Sequence, residues 1–122
     1  MSTNLPLRAM AADVCVAPQL TPAAMADAAQ AGFRSVVNNR PDFEYGPDQP
    51  TNADIESAAR AAGLEYRFLP VAPNSQTPEQ IAALALLLEE LPRPILLFCR
   101  SGARSANLYM QAEPRCRVRS SG

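Results

Sequence analysis

The stretch Pro94-Ile95-Leu96-Leu97-Phe98-Cys99-Arg100-Ser101-Gly102-Ala103-Arg104-Ser105 decides how the rest of the chain is read. Its first half is an unbroken apolar run of strand length. Such a run fits a central parallel strand covered on both faces, because a half-exposed strand alternates apolar and polar residues. Its second half breaks the run with a cysteine, a glycine and two arginines, and Ser105 to Ala112 continues as a helix until Glu113-Pro114. A strand, a short glycine-containing loop and a helix turn backbone N–H groups and the positive helix end towards one point. Ligands of parallel sheets bind at the C-terminal ends of the strands, where this loop lies.

Upstream, strand and helix alternate. Thr77-Pro78-Glu79-Gln80 is a capping-box start for a helix that places Ile81, Leu84, Leu88 and Leu91 on one side, and Pro92 and Pro94 end it. Leu64 to Val71 alternates as a strand. Asn52 is expected to cap a helix carrying Ile55, Ala58, Ala59 and Ala62 on one face, closed by Gly63. Phe33 to Asn38 reads as a strand that stops at Asn39-Arg40-Pro41-Asp42. Thr21-Pro22 opens a helix that runs to Ala31 and closes on Gly32. Leu5 to Ala9 and Asp13 to Ala17 read as two short strands joined by a tight connection.

This alternation predicts right-handed βαβ units and an α/β fold of three layers, a mostly parallel central sheet flanked by helices. One domain is expected over residues 1–113. Residues 114–122 carry no apolar period and are expected to form a disordered tail.

The bulk numbers agree with a folded domain. At 122 residues, 48% hydrophobic and 19% charged, the chain is long and apolar enough to bury one core. Eleven basic against 12 acidic residues leave a formal charge of -1 and no footprint for nucleic acid or an anionic membrane. No apolar stretch is long enough to span a bilayer and no secretory leader is visible, so a cytoplasmic location is expected. There is no histidine, and every basic residue is arginine. That composition removes Cys-His and Ser-His pairs, histidine metal centres and lysine Schiff bases, and neither a metal nor a cofactor is expected.

Three cysteines remain, Cys15, Cys99 and Cys116, too far apart and odd in number for a disulfide framework. Cys15 lies within a strand and is read as core, and Cys116 lies in the polar tail. Cys99 is different. A free thiol is only a few per cent ionised at neutral pH unless its surroundings favour the anion. The loop supplies that from the backbone of Arg100, Ser101, Gly102 and Ala103, with Gly102 allowing torsions closed to other residues. Arg104 can hold an oxyanion through its forked guanidinium. Ser105 is expected to donate its hydroxyl to the sulfur, and Arg100 lies at the loop mouth for substrate contact or solvation. Cys99 is thus read as a nucleophile in an anion-binding loop.

The segment Cys99 to Ser105 resembles the active-site loop of rhodanese-type sulfurtransferases, in which four residues separate cysteine and arginine. The remainder does not resemble rhodanese. Val14 to Arg40, with Gln19-Leu20-Thr21-Pro22, Ala31-Gly32-Phe33 and Val36-Val37-Asn38-Asn39-Arg40-Pro41, is similar to dual-specificity tyrosine-phosphatase folds. Together these features resemble the phosphatase-like domain of the β-lactamase-hydrolase-like family, over roughly residues 5 to 111. The resemblance implies a tyrosine-phosphatase-like sheet and a possible partnership with a metallo-β-lactamase-fold persulfide dioxygenase.

Two departures from phosphatases bear on function. Those enzymes place five residues between cysteine and arginine and usually a histidine before the cysteine, whereas here there are four, after Phe98. They also carry an aspartic acid after the strand corresponding to Leu64 to Val71, where this chain has Ala72-Pro73-Asn74-Ser75. Asp42 is the best substitute for that acid, or else a loop cap through Asx-type bonds. The leading expectation is therefore sulfur transfer, from a small sulfur-containing anion or persulfide through a Cys99 persulfide to a thiol acceptor. The alternative is a phosphatase acting through a phosphocysteine at Cys99. A catalytically silent anion-binding domain is the third reading.

Overall fold

The computed structural model describes residues 5–44, 46–73 and 76–115. Five strands and four helices follow in the order β1 (Arg8–Ala11), β2 (Val14–Ala17), α1 (Ala24–Gln30), β3 (Ser35–Asn38), α2 (Asn52–Ala61), β4 (Glu65–Phe68), α3 (Pro78–Glu90), β5 (Ile95–Phe98) and α4 (Ala103–Ala112). They form one sheet in the spatial order β1-β2-β5-β3-β4, parallel throughout except for the β1/β2 edge hairpin. This is the expected α/β architecture. β5 lies at its centre, paired with β2 through Val14↔Ile95 to Ala17↔Phe98 and with β3 through Ser35↔Ile95 to Asn38↔Phe98.

The central position explains the unbroken apolar run. Successive side chains of a strand point to opposite faces. Ile95 and Leu97 join Val14, Val16, Val37, Leu84, Leu88 and Leu108 in the core under α3 and α4. Leu96 and Phe98 join Met25, Ala28, Val36, Ile55 and Ala59 in the core under α1 and α2. Cys15 packs partly buried against this second core, and burial pushes its thiol pKa up, as suits a core residue.

Several boundaries differ from the sequence reading. β1 begins at Arg8, because the first strand is an exposed edge whose side chains leave little pattern. α1 begins at Ala24 after Thr21 and Pro22 form a turn, in which the Thr21 hydroxyl oxygen accepts from the Ala24 N–H. The cap of α2 is Thr51, whose side chain accepts from the Asp54 N–H, rather than Asn52. Asn52 becomes the first helical residue, and its Oδ1 accepts the Tyr66 hydroxyl at 2.6 Å. Burial raises the Tyr66 pKa to about 12, so this phenol is protonated at neutral pH and keeps its O–H for Asn52. The capping box of α3 forms as expected, with Thr77 and Gln80 each bonding the other's backbone N–H.

α4 starts two residues earlier than expected, on Gly102, and a 3-10 turn over Glu113–Arg115 continues it into the expected tail. The rest of that tail, 116–122 with Cys116, lies outside the described residues. Among the described residues, no helix is long and apolar enough to cross a membrane.

Candidate active site

The Cys99 loop leaves β5 at the C-terminal edge of the sheet and is braced by the neighbouring end of β2. The Cys99 N–H donates to the Ala17 carbonyl at 3.3 Å, and the Gln19 N–H donates to the Arg100 carbonyl at 3.1 Å. These bonds bend the chain so that Cys99, 1% exposed, sits under the first turn of α4. Its Sγ accepts from the Gly102 N–H at 3.1 Å and from the Ser105 N–H at 3.5 Å. The sulfur thus lies at the N-terminal end of a ten-residue helix, where backbone N–H groups are left free of helical partners.

Gly102 is required by its backbone. Its φ is +93°, a region unfavourable to side chains, although a Cβ there would make only ordinary contact, 3.4 Å from the Ala17 carbonyl carbon. Gly102→Ala is expected to cost about 1–2 kcal/mol from the left-handed torsion. The strain falls on the residue that donates to the sulfur. Turnover should therefore drop by more than the melting temperature suggests, as a thermal melt beside a kinetic assay would read.

Arg104 lies under the β3–α2 loop. Its Nη1 donates to Glu44 Oε2 at 3.0 Å and to the Val71 carbonyl at 3.0 Å, while Nη2 donates to Glu44 Oε1 at 3.3 Å. Glu44 Oε1 also accepts from Arg40 Nε at 3.0 Å. All three side chains are largely buried. Arg40 is in turn oriented by Gln19 Oε1, which accepts from its Nη1, and the loop is closed by Gln49, which bonds the Pro41 carbonyl and the Glu44 N–H. Glu44 thus receives both the Arg40 and the Arg104 guanidinium groups. Phe43, beside Glu44, has φ 59° and is 61% exposed, an uncommon backbone state for an aromatic residue.

The predicted site residues divide accordingly. Cys99, Gly102 and Ser105 converge, the Arg104 guanidinium is bonded to Glu44 and the Val71 carbonyl, and Arg100, Ser101 and Ala103 lie exposed on the outer side of the same loop. The Ala103 N–H donates to Ser101 Oγ at 3.4 Å. The hydroxyl of Ser105, expected on the sulfur, instead donates to Asn39 Oδ1 at 2.8 Å, and only the backbone N–H of Ser105 reaches Cys99. Asp42 is engaged elsewhere. Its Oδ1 accepts the Asn52 N–H at 2.7 Å, which ties the loop after β3 to the start of α2.

The sequence does not single out Glu44 or Asn39, since Glu44 reaches Arg104, and Asn39 reaches Ser105, across 60 or more residues of chain, although Glu44 also pairs locally with Arg40. Among the described residues, no group of three or more His, Cys, Asp or Glu side chains is arranged to hold a metal.

Fold and site define a protein of the tyrosine-phosphatase-like class, and comparisons with known proteins narrow this. Residues 6–114 match the family model of the beta-lactamase hydrolase-like protein, phosphatase-like domain, and the chain belongs to that family. It is 40% identical over 82 residues to the beta-lactamase hydrolase-like protein of Agrobacterium fabrum, covering 67% of this chain and 19% of that one. To the protein of the same name from Xylella fastidiosa Temecula1 it is 41% identical over 85 residues, covering 70% and 20%. The chain therefore spans about a fifth of the length of the curated relatives it matches.

Among solved structures, it is similar to a candidate phosphatase of Neisseria meningitidis Z2491, with TM-score 0.75, 27% identity, and coverage of 83% of this chain and 71% of that one. A DUF442 protein of Shewanella putrefaciens CN-32 shares the fold at TM-score 0.78 and 18% identity, covering 90% and 72%. These relatives favour the phosphatase alternative over the sulfur transfer expected first.

Proposed function

We propose that the chain is a cysteine-dependent phosphate-monoester hydrolase of the cytoplasm, a compartment where thiols stay reduced. The observation that carries the reading is a sulfur seated on backbone N–H groups in the loop that also carries Arg104, whose guanidinium is gripped by Glu44 and Val71. Of the five guanidinium N–H bonds, one Nη2 hydrogen and the Nε hydrogen have no acceptor among the described residues. They form one edge of the fork, with the spacing for two oxygens of a phosphoryl group.

In the proposed reaction, the Cys99 thiolate attacks phosphorus and an S–P bond forms as the P–O bond to the leaving group breaks. The electron pair departs on the ester oxygen, which takes its proton from water. A second water then attacks phosphorus, the S–P pair returns to sulfur, and phosphate leaves. Arg104 and the loop N–H groups hold the equatorial oxygens throughout.

Asp42 accepts the Asn52 N–H through Oδ1, which ties it to the start of α2, and in this reading it does not protonate the leaving oxygen. The leaving group must then be a stable anion. A phenolate, with a conjugate-acid pKa near 10, meets this condition and an alkoxide does not. Aryl phosphates are accordingly the preferred substrates, and alkyl esters forfeit the roughly 10²- to 10⁴-fold of general acid catalysis.

The same missing acid supports a second reading. Sulfur transfer from thiosulfate or a persulfide to a thiol acceptor, with a persulfide dioxygenase as partner, expels a stable anion and needs no acid. Parallel assays with para-nitrophenyl phosphate, an alkyl phosphate, and thiosulfate with cyanide separate the readings. Turnover of the aryl ester alone is expected. Consumption of thiosulfate without ester hydrolysis would replace the reading with sulfur transfer, and inertness towards all three would leave an anion-binding domain.

A further inference from the structure

Asn39 is 0% exposed and spends its hydrogen-bonding groups on the framework around Cys99. Its backbone N–H donates to the carbonyl of Phe98, the residue before the nucleophile, at 2.9 Å. Its carbonyl accepts the Val71 N–H at 2.9 Å, and the Val71 carbonyl in turn accepts from Arg104. The side chain completes the arrangement: Nδ2 donates to the Leu69 carbonyl at 3.0 Å, and Oδ1 accepts the Ser105 hydroxyl at 2.8 Å. One residue at the end of β3 therefore touches the strand before the nucleophile, the segment that holds the arginine, and the helix turn whose N–H points at the sulfur.

We propose that Asn39 is a positioning residue, which acts through Ser105 to aim the first turn of α4 at Cys99. With its hydroxyl bonded sideways to Asn39, Ser105 cannot rotate freely or draw its backbone away, and its N–H stays directed at Sγ. The bond also spends the hydroxyl hydrogen on an amide oxygen, so the sulfur is steadied by backbone groups alone. An apolar residue at 39 would leave a buried hydroxyl and the Leu69 carbonyl unpaired, and the helix turn would relax to find them partners. The inference rests on Cys99 being the nucleophile, whichever substrate it attacks.

The test reads the sulfur directly. Purified protein is treated at pH 7 with iodoacetamide, a neutral reagent that needs no anion seat, and the alkylation rate of Cys99 is followed by peptide mass mapping. Wild type, Asn39→Ala, Ser105→Ala and the double variant are compared, each confirmed folded by circular dichroism at the assay temperature. Asn39→Ala is expected to slow alkylation about tenfold, the scale of one hydrogen bond to a charged acceptor. Added to Ser105→Ala it is expected to slow it less than twofold further, since the bond is already severed; KM for para-nitrophenyl phosphate should stay within twofold, because the backbone arm to Arg104 survives.

Multiplying effects in the double variant would overturn the inference, as would an unchanged rate in Asn39→Ala. Should Asn39→Ala unfold, Asn39→Ser, whose side chain is one bond too short to reach Ser105, runs the same cycle. A wild-type Cys99 inert to iodoacetamide would instead count against the nucleophile itself, so the two failures are distinguishable.

Discussion

Cys99→Ser is expected to lower turnover of para-nitrophenyl phosphate by about 10⁴-fold or more, the scale of losing a nucleophile, with the fold intact. Serine is close in volume to cysteine and can still accept the Gly102 and Ser105 N–H bonds, so neither the loop nor the buried position is disturbed. What disappears is the chemistry, because a hydroxyl is far harder to ionise than a thiol and the chain has no histidine or lysine to remove its proton. Steady-state kinetics beside a thermal melt checks both halves. Residual activity above a few per cent, with Cys15 still present, would show that the reaction runs elsewhere.

Arg104→Lys tests the second half of the site, and an expected loss of about 10²- to 10³-fold in kcat/KM matches removal of a preorganised oxyanion donor. A lysine keeps the charge but has no planar fork. It cannot hold Glu44 at one edge, the Val71 carbonyl beside it and a phosphoryl group at the other edge. The loss should persist at saturating substrate, since the contact matters most as charge moves onto the oxygens in the transition state. Comparing kcat and KM for the variant decides the point; a rise in KM alone, with kcat unchanged, would make Arg104 a simple binding charge.

The parts of this molecule legible in the sequence are those governed by neighbours along the chain or by burial on both faces. Ile95 to Phe98 announced a central strand because its two faces meet two different cores. Thr77 and Gln80 announced a helix start because a capping box is a local bond pair. Cys99, Gly102 and Arg104 were legible because their spacing within one loop determines what they can surround.

Features that depend on tertiary partners were not legible. Thr51 and Asn52 are both competent caps, and the choice between them turns on Tyr66, which takes the Asn52 side chain from another strand. The bond from the Asn52 N–H to Asp42 joins residues ten apart with no local motif to announce it. Ser105 was assigned to the sulfur on adjacency alone, and Asn39, 66 residues away, claimed its hydroxyl. Glu44 pairs with Arg40 four residues before it, but its grip on Arg104 has no signal in the sequence, since that partner lies 60 residues away.

Rapid acid quenching of the wild-type protein during turnover of para-nitrophenyl phosphate, followed by intact-mass and peptide analysis, tests the central claim most directly. The expected result is a chain heavier by one phosphoryl group, with the addition mapped to Cys99. Hydrolysis of the ester with Cys99 never modified, or a modification mapped to Cys15 or Cys116, would contradict it.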